Sequence, residues 1–155
     1  MIDVTPVIAP APAPMSSTHL SRSPDDTRAL ARELARTLDA GDVLALHGDL
    51  GAGKTQFVRG IVEGLGGSAA PVSSPTFVLL NIYPTPTLTV YHLDAYRALG
   101  EDDFDAIGFD ELLEQNGIVA VEWAERIASR LPGHTVHIRL TPLDEQTRQI
   151  TIDRP

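Results

Sequence analysis

None of the 155 residues is cysteine. Disulfides, thiolate-held zinc and thiol catalysis are therefore excluded, and the composition suits a reducing compartment. Lysine is almost as scarce: Lys54 is the only one, and every other basic side chain is an arginine. No apolar run approaches the length of a membrane span. Of the histidines His19, His47, His92, His134 and His137, His134 and His137 stand three apart in an expected strand and so point to opposite faces. No histidine-bound metal is expected from that spacing.

Positive charge is also in short supply. The net charge is −9, and from Asp94 to Glu125 ten acids stand against the single base Arg97. The remainder of the chain is balanced, so no basic face is available to follow nucleic-acid phosphates. The acidic stretch reads either as a solvated helix or as a docking surface for a basic partner, because such fields steer association. The first fourteen residues, with Ala9-Pro10-Ala11-Pro12-Ala13-Pro14, carry no positive charge. They lack the basic start of a secretory signal and are expected to form a disordered leader, with Met15 an alternative start.

The one lysine sits in Gly48-Asp49-Leu50-Gly51-Ala52-Gly53-Lys54-Thr55, a full match to the phosphate-binding loop G-x-x-x-x-G-K-[ST]. A compact ammonium reaches the β- and γ-phosphates where a planar guanidinium is the wrong shape. The flanks fit as well. Asp42 to His47 reads as an apolar strand entering the loop, and Phe57, Val58, Ile61, Val62 and Leu65 recur at helical spacing after it. Backbone N–H groups from Gly51 to Thr55 are then expected to converge on phosphate at a helix N-terminus, with the Thr55 hydroxyl offered to Mg²⁺.

Elsewhere, Ser23-Pro24-Asp25-Asp26 is a helix start, followed by a stripe of Leu30, Leu34 and Leu38 that predicts a helix to Asp39, stopped by Gly41. Two strands, Phe77 to Tyr83 and Leu88 to Asp94, flank Pro84-Thr85-Pro86 and are expected to pair antiparallel. Ala124 to Leu131 reads as helix. Thr135 to Leu140 and Arg148 to Ile152 read as strands around a turn at Pro142 to Gln146. The expected fold is a single α/β domain over residues 15–155, a P-loop NTPase-like mixed sheet flanked by helices, parallel around the loop and antiparallel elsewhere.

Two carboxylates end strand-like runs. Gly117-Ile118-Val119-Ala120-Val121-Glu122 is an apolar run closed by an acid, the layout in which a carboxylate reaches the Mg²⁺ shell, and Asp94 closes the earlier strand in the same way. Strand ends beside the loop surround the ligand in such sheets, so both acids are expected near the γ-phosphate, against the alternative that each caps a neighbouring helix. Trp123, the only tryptophan, is read as ordinary packing or as a residue near the nucleotide. A chain with one lysine, already in the phosphate loop, cannot carry the N-K-x-D motif of guanine recognition, so ATP is expected. A small-molecule kinase is disfavoured by the lack of an arginine cluster between Gly60 and Arg126.

Together, the phosphate loop with Arg59-Gly60, Ser74-Pro75-Thr76-Phe77, Tyr91-His92-Leu93-Asp94-Ala95-Tyr96-Arg97 and Glu122-Trp123 closely resemble the TsaE family, also called YjeE, the ATPase subunit of bacterial tRNA threonylcarbamoyladenosine synthesis. These stretches fall in the family's order between Ser23 and Ile152. Ala95 stands where leucine is usual, and Ala124 where proline is frequent. The resemblance implies a cytoplasmic protein that binds Mg²⁺ and ATP, hydrolyses ATP slowly and works with the TsaD and TsaB proteins on adenosine 37 of tRNA, touching tRNA only indirectly and no membrane. It also implies residue roles. Asp49, Leu50, Gly51, Ala52, Gly53, Lys54, Thr55 and Gln56 would bind nucleotide, and Thr55 and Glu122 would hold Mg²⁺. Asp94 and Lys54 would serve hydrolysis, while Ser74, Pro75, Thr76 and Trp123 would sense nucleotide or partner. A small P-loop kinase and a nucleotide-gated module that never hydrolyses are the alternatives.

Overall fold

A computed structural model describes residues 15–73, 80–96, 101–106 and 108–155. The leader and Ser74, Pro75 and Thr76 lie outside the described residues. The elements run β1 (Met15–Ser21), α1 (Pro24–Ala35), β2 (Val43–His47), α2 (Lys54–Gly64), β3 (Leu80–Tyr83) and β4 (Thr89–Asp94). There follow α3 (Glu101–Ala106), α4 (Phe109–Leu112), β5 (Gly117–Glu122), a 3-10 segment (Ala124–Arg130), β6 (Val136–Pro142) and β7 (Arg148–Arg154). The seven strands form one sheet in the order β1-β7-β6-β2-β5-β4-β3.

The expected mixture of strand directions is present. β2 lies between β5 and β6 and is parallel to both, and β4 is parallel to β5. The β3–β4, β6–β7 and β1–β7 pairs are antiparallel. Val43, Leu44, Ala45 and Leu46 are each fully buried, as a central parallel strand covered on both faces requires. One face packs Leu44, Leu46, Ile118, Ala120 and Ile138 against α1 and α2. The other packs Val43, Ala45, Leu93, Val119 and Val121 against Phe109 of α4 and against Ala124 and Ile127 of the 3-10 segment.

Helix α1 starts as expected. The Ser23 side chain accepts from the Asp26 backbone N–H at 3.0 Å, with Pro24 at the first position. It ends earlier than the leucine stripe suggests, at Ala35 rather than Asp39. Its last turns tighten to i→i+3 bonds, Arg36 N–H to Glu33 O and Leu38 N–H to Ala35 O, so Leu38 still packs in the core without being helical.

Three further differences from the sequence pattern stand out, a split helix, a tighter helix and an additional strand. The acidic stretch is not one helix: among the described residues it forms α3 and α4, separated at Gly108, whose φ is 76°. Arg130 ties the two together by bridging Asp105 and Asp110. The segment after Glu122 is helical but of the 3-10 type. Strand β1 was not anticipated, since Met-Ser-Ser-Thr-His-Leu-Ser has no apolar alternation. It is an exposed edge strand held by its backbone ladder to β7, from Met15 opposite Arg154 to Ser21 opposite Arg148.

Candidate active site at the phosphate loop

The loop leaves β2 at Gly48 and enters α2 at Lys54. A Cβ on Gly48 would meet Leu140 O at 2.8 Å, so a larger residue would push the loop off β6. Gly53, the residue before α2, holds φ at 104°, a conformation that side chains rarely adopt. It caps the helix with no side-chain hydrogen bond, so the first-turn N–H groups face outward as an anion site.

Sheet register brings the expected side chains together. Asp94 and Glu122 are partners across β4 and β5, and Leu46 at the end of β2 is the partner of Glu122 on the other side. All three strand ends therefore meet at the mouth of the loop, where ligands bind in sheets of this class. A cavity of about 420 Å³ lies there, lined by Leu50, Gly51, Ala52, Gly53, Lys54, Thr55, Asp94, Tyr96, Glu122 and Trp123. Of the residues expected at the nucleotide, Asp49 and Gln56 do not line it. Asp49 acts through its carbonyl, which accepts from Lys54 Nζ at 3.2 Å.

The buried Lys54 also donates to Gly48 O, and its Nζ lies 4.0 Å from the centre of the Trp123 ring. Burial lowers its pKa from the ordinary lysine value, against the opposing pull of Glu122, Glu125, Asp94 and Asp49. Thr55 Oγ1 donates to Glu122 Oε1 at 3.0 Å. Burial by itself would raise the Glu122 carboxyl, but His92, Thr55 and Lys54 outweigh it and hold the group below the usual glutamate value. Asp94, also buried, accepts the Tyr96 backbone N–H at 2.8 Å through Oδ1. It thus shapes the chain turn at the cavity edge as well as lining the cavity. Trp123 is the only non-glycine residue with positive φ among the described residues, at 56°. This turn directly after Glu122 sets the indole over Lys54, and Tyr96 packs on it with ring centres 4.9 Å apart.

Several neighbours were not read from the sequence. His92 is fully buried with Nε2 3.3 Å from Glu122 Oε1; it stands in the same motif as Asp94, in the inward register of β4, but had no assigned role. Tyr96 stands in a motif but had no assigned role. On the far side of Gly51, Ala52 and Gly53, a second cavity of about 340 Å³ is lined by Ser23, Pro24, Thr27, Glu145, Gln146 and Arg148. Ser23 was legible only as a helix cap, and the β6–β7 turn only as a turn. The histidine reading also changes. His134 precedes β6, and His137 stacks on His47, with Nδ1 of His137 2.9 Å from Nε2 of His47, while Glu125 lies 3.3 Å from His47 Nδ1. Among the described residues no group of three or more His, Asp or Glu side chains is arranged to hold a metal ion.

A strand, phosphate loop and helix at the carboxyl ends of parallel strands, with acids on the adjoining strand ends, define a P-loop protein of the NTPase-like α/β class. The family model described as "Threonylcarbamoyl adenosine biosynthesis protein TsaE" matches residues 21–150. The chain is 44% identical over 133 residues to the tRNA threonylcarbamoyladenosine biosynthesis protein TsaE of Treponema pallidum, covering 86% of this chain and 97% of that protein. It is 41% identical to its Bacillus subtilis counterpart, over 83% of this chain and 80% of that one. A crystal structure of Bacillus subtilis YdiB superimposes with a TM-score of 0.74 at 33% identity, covering 93% of this chain and 88% of that chain. The chain belongs to the TsaE family.

Proposed function

We propose that this protein is a Mg²⁺-dependent, slowly turning-over ATPase that acts in the cytoplasm with TsaD and TsaB proteins in threonylcarbamoyladenosine modification of tRNA, without binding tRNA itself. The observation that carries this reading is the convergence of Lys54, Thr55, Glu122 and Asp94 on one cavity beside the phosphate loop. Lys54 and the α2 N-terminus receive the phosphates. The nucleoside extends over Gly51 to Gly53 toward the cavity bounded by Ser23, Gln146 and Arg148. The donor set suits Mg²⁺, which prefers hard oxygen ligands. Thr55 spends its proton on Glu122 Oε1, which leaves its oxygen lone pairs for a cation, and Glu122 is held in its charged form. Bound Mg²⁺ would neutralise phosphate charge and lower the barrier to phosphoryl transfer. Asp94 is the group placed to orient or accept a proton from an attacking water.

Membership of the family and the lack of an arginine cluster between Gly60 and Arg126 support ATP-driven work on a partner complex over a small-molecule kinase. Among the described residues no helix is long and apolar enough to cross a membrane. The test is calorimetric. Lys54→Ala is expected to abolish measurable ATP binding, and Lys54→Arg to fail with it; loss of one positioned charge at such a site costs on the order of 10² to 10³ in rate. Asp94→Ala is expected to keep ATP affinity while slowing phosphate release in the presence of the partners. Unchanged ATP affinity in Lys54→Ala refutes the site, and parental turnover in Asp94→Ala refutes the role of that carboxylate.

A further inference from the structure

The inward face of β4 reads Val90, His92, Asp94, and all three are buried. An apolar residue would satisfy the middle position. Instead it holds an imidazole with no accessible surface, neither of whose ring nitrogens makes a well-aligned hydrogen bond among the described residues. A buried polar group left in that state costs free energy and calls for a reason. The partner of His92 across β5 is Ala120, a methyl that leaves room for the ring beside the next inward residue, Glu122. There Nε2 lies 3.3 Å from Glu122 Oε1, the same oxygen that accepts from Thr55 at 3.0 Å. Tyr83 of β3 backs the imidazole at 6.0 Å between ring centres.

One carboxylate oxygen is thus approached from two elements, α2 and β4. We infer that His92 is a positioning residue of the proposed metal site, holding the Glu122 carboxylate in the pose that meets Thr55. The inference rests on the reading that Thr55 and Glu122 hold Mg²⁺. In its Nε2–H tautomer the ring presents its donor edge 3.3 Å from Oε1, a close polar contact and not an aligned hydrogen bond, on a rigid, two-torsion side chain. Glu122, with three torsions, gains a fixed orientation from it. Partners of this kind behind a metal ligand are typically worth 10- to 100-fold in metal affinity.

The test is the Mg²⁺ dependence of ATP binding, followed by calorimetry with a non-hydrolysable ATP analogue at a series of Mg²⁺ concentrations and in EDTA. His92→Leu is expected to need about 10- to 100-fold more Mg²⁺, with its affinity in EDTA unchanged. His92→Gln, whose terminal amide replaces the Nε2 donor, is expected to recover most of the loss, and His92→Asn, whose amide falls short, is not. An equal fall in affinity with and without Mg²⁺ in His92→Leu overturns the inference in favour of mere packing. If the leucine variant does not melt cooperatively, the glutamine and asparagine variants decide, and equal Mg²⁺ midpoints in those two overturn it. Glu122→Gln is run alongside. An unmoved midpoint there refutes the metal reading itself, whereas a moved midpoint there with parental behaviour in His92→Leu refutes the role of His92 alone.

Discussion

The Lys54 ammonium is held by two loop carbonyls and by the face of Trp123. A cation over an indole is stabilised by about 0.5–2 kcal/mol, depending on how dry the contact is. A phosphate at the α2 N-terminus competes for the same charge, so nucleotide binding is expected to draw Nζ off the ring. Trp123 is the only tryptophan, which makes the event visible: its fluorescence should change saturably with ATP, and Lys54→Ala should show no such change. A flat signal at nucleotide concentrations that calorimetry finds saturating would refute the coupling. Lys54, Thr55, Asp94 and Glu122 were legible because each stands at a local marker, the loop motif or the polar end of an apolar run. The indole's place over the ammonium was not, because it depends on the φ of 56° at Trp123 and on the register of β5 against β2.

Helix α2 presents the phosphate loop, and its rigidity comes from α1. Arg28 and Arg32 both reach Glu63, at 2.6 and 3.2 Å. Being partly exposed, these pairs contribute little beyond orientation. Close packing matters more: a Cβ on Gly60 would lie 2.4 Å from Arg28 O and 2.6 Å from Ala31 Cβ, and one on Gly64 2.6 Å from Ala35 Cβ. Gly60→Ala improves local helix propensity yet must force α1 away, and overpacking of this kind typically costs about 1–3 kcal/mol. The expected result is a lower urea midpoint at unchanged slope. A midpoint at or above the parent value would show that the helices can part freely. The sequence carried both helices through their spacing and the Ser23 cap, but not the closeness of their contact, which two glycines on successive turns of α2 permit.

Across the whole molecule the −9 charge divides. Asp94 and Glu122 are buried at the site, while Asp102, Asp105, Asp110 and Glu111 are exposed on α3 and α4. One contribution to stability between neutral and acid pH comes from a different group. Burial, with Arg139 and His137 nearby, lowers the His47 pKa from its ordinary 6.5, despite the opposing pull of Glu125. With a depressed folded-state pKa, the unfolded chain takes up a proton first as pH falls below 6.5. Stability therefore declines through the window between that value and the lower folded-state pKa. Urea midpoints measured at about pH 8 and about pH 5.5 should fall toward acid in the parent. They should fall less steeply in His47→Gln, whatever that change does to stability at the higher pH. Equal slopes would remove His47 from the acid response.

Local signals determined the element types along most of the chain. The glycines of the loop, the serine cap at α1, the apolar run of β5 ending in Glu122 and the single lysine each act through neighbouring backbone demands or periodicity, and these can be read in one dimension. They carried the class of fold and the four residues at the heart of the candidate site. Tertiary structure decided what depends on strands far apart in sequence lying side by side. β1 found its place as an edge strand on β7 without any apolar pattern of its own. Asp94 met Glu122 only because β4 and β5 run parallel in that register. His92, a motif residue whose role no local pattern states, came within 3.3 Å of Glu122 because Ala120 leaves space across the ladder. Such contacts follow from register and from the volume of opposing side chains, and neither quantity is contained in the local pattern of residues.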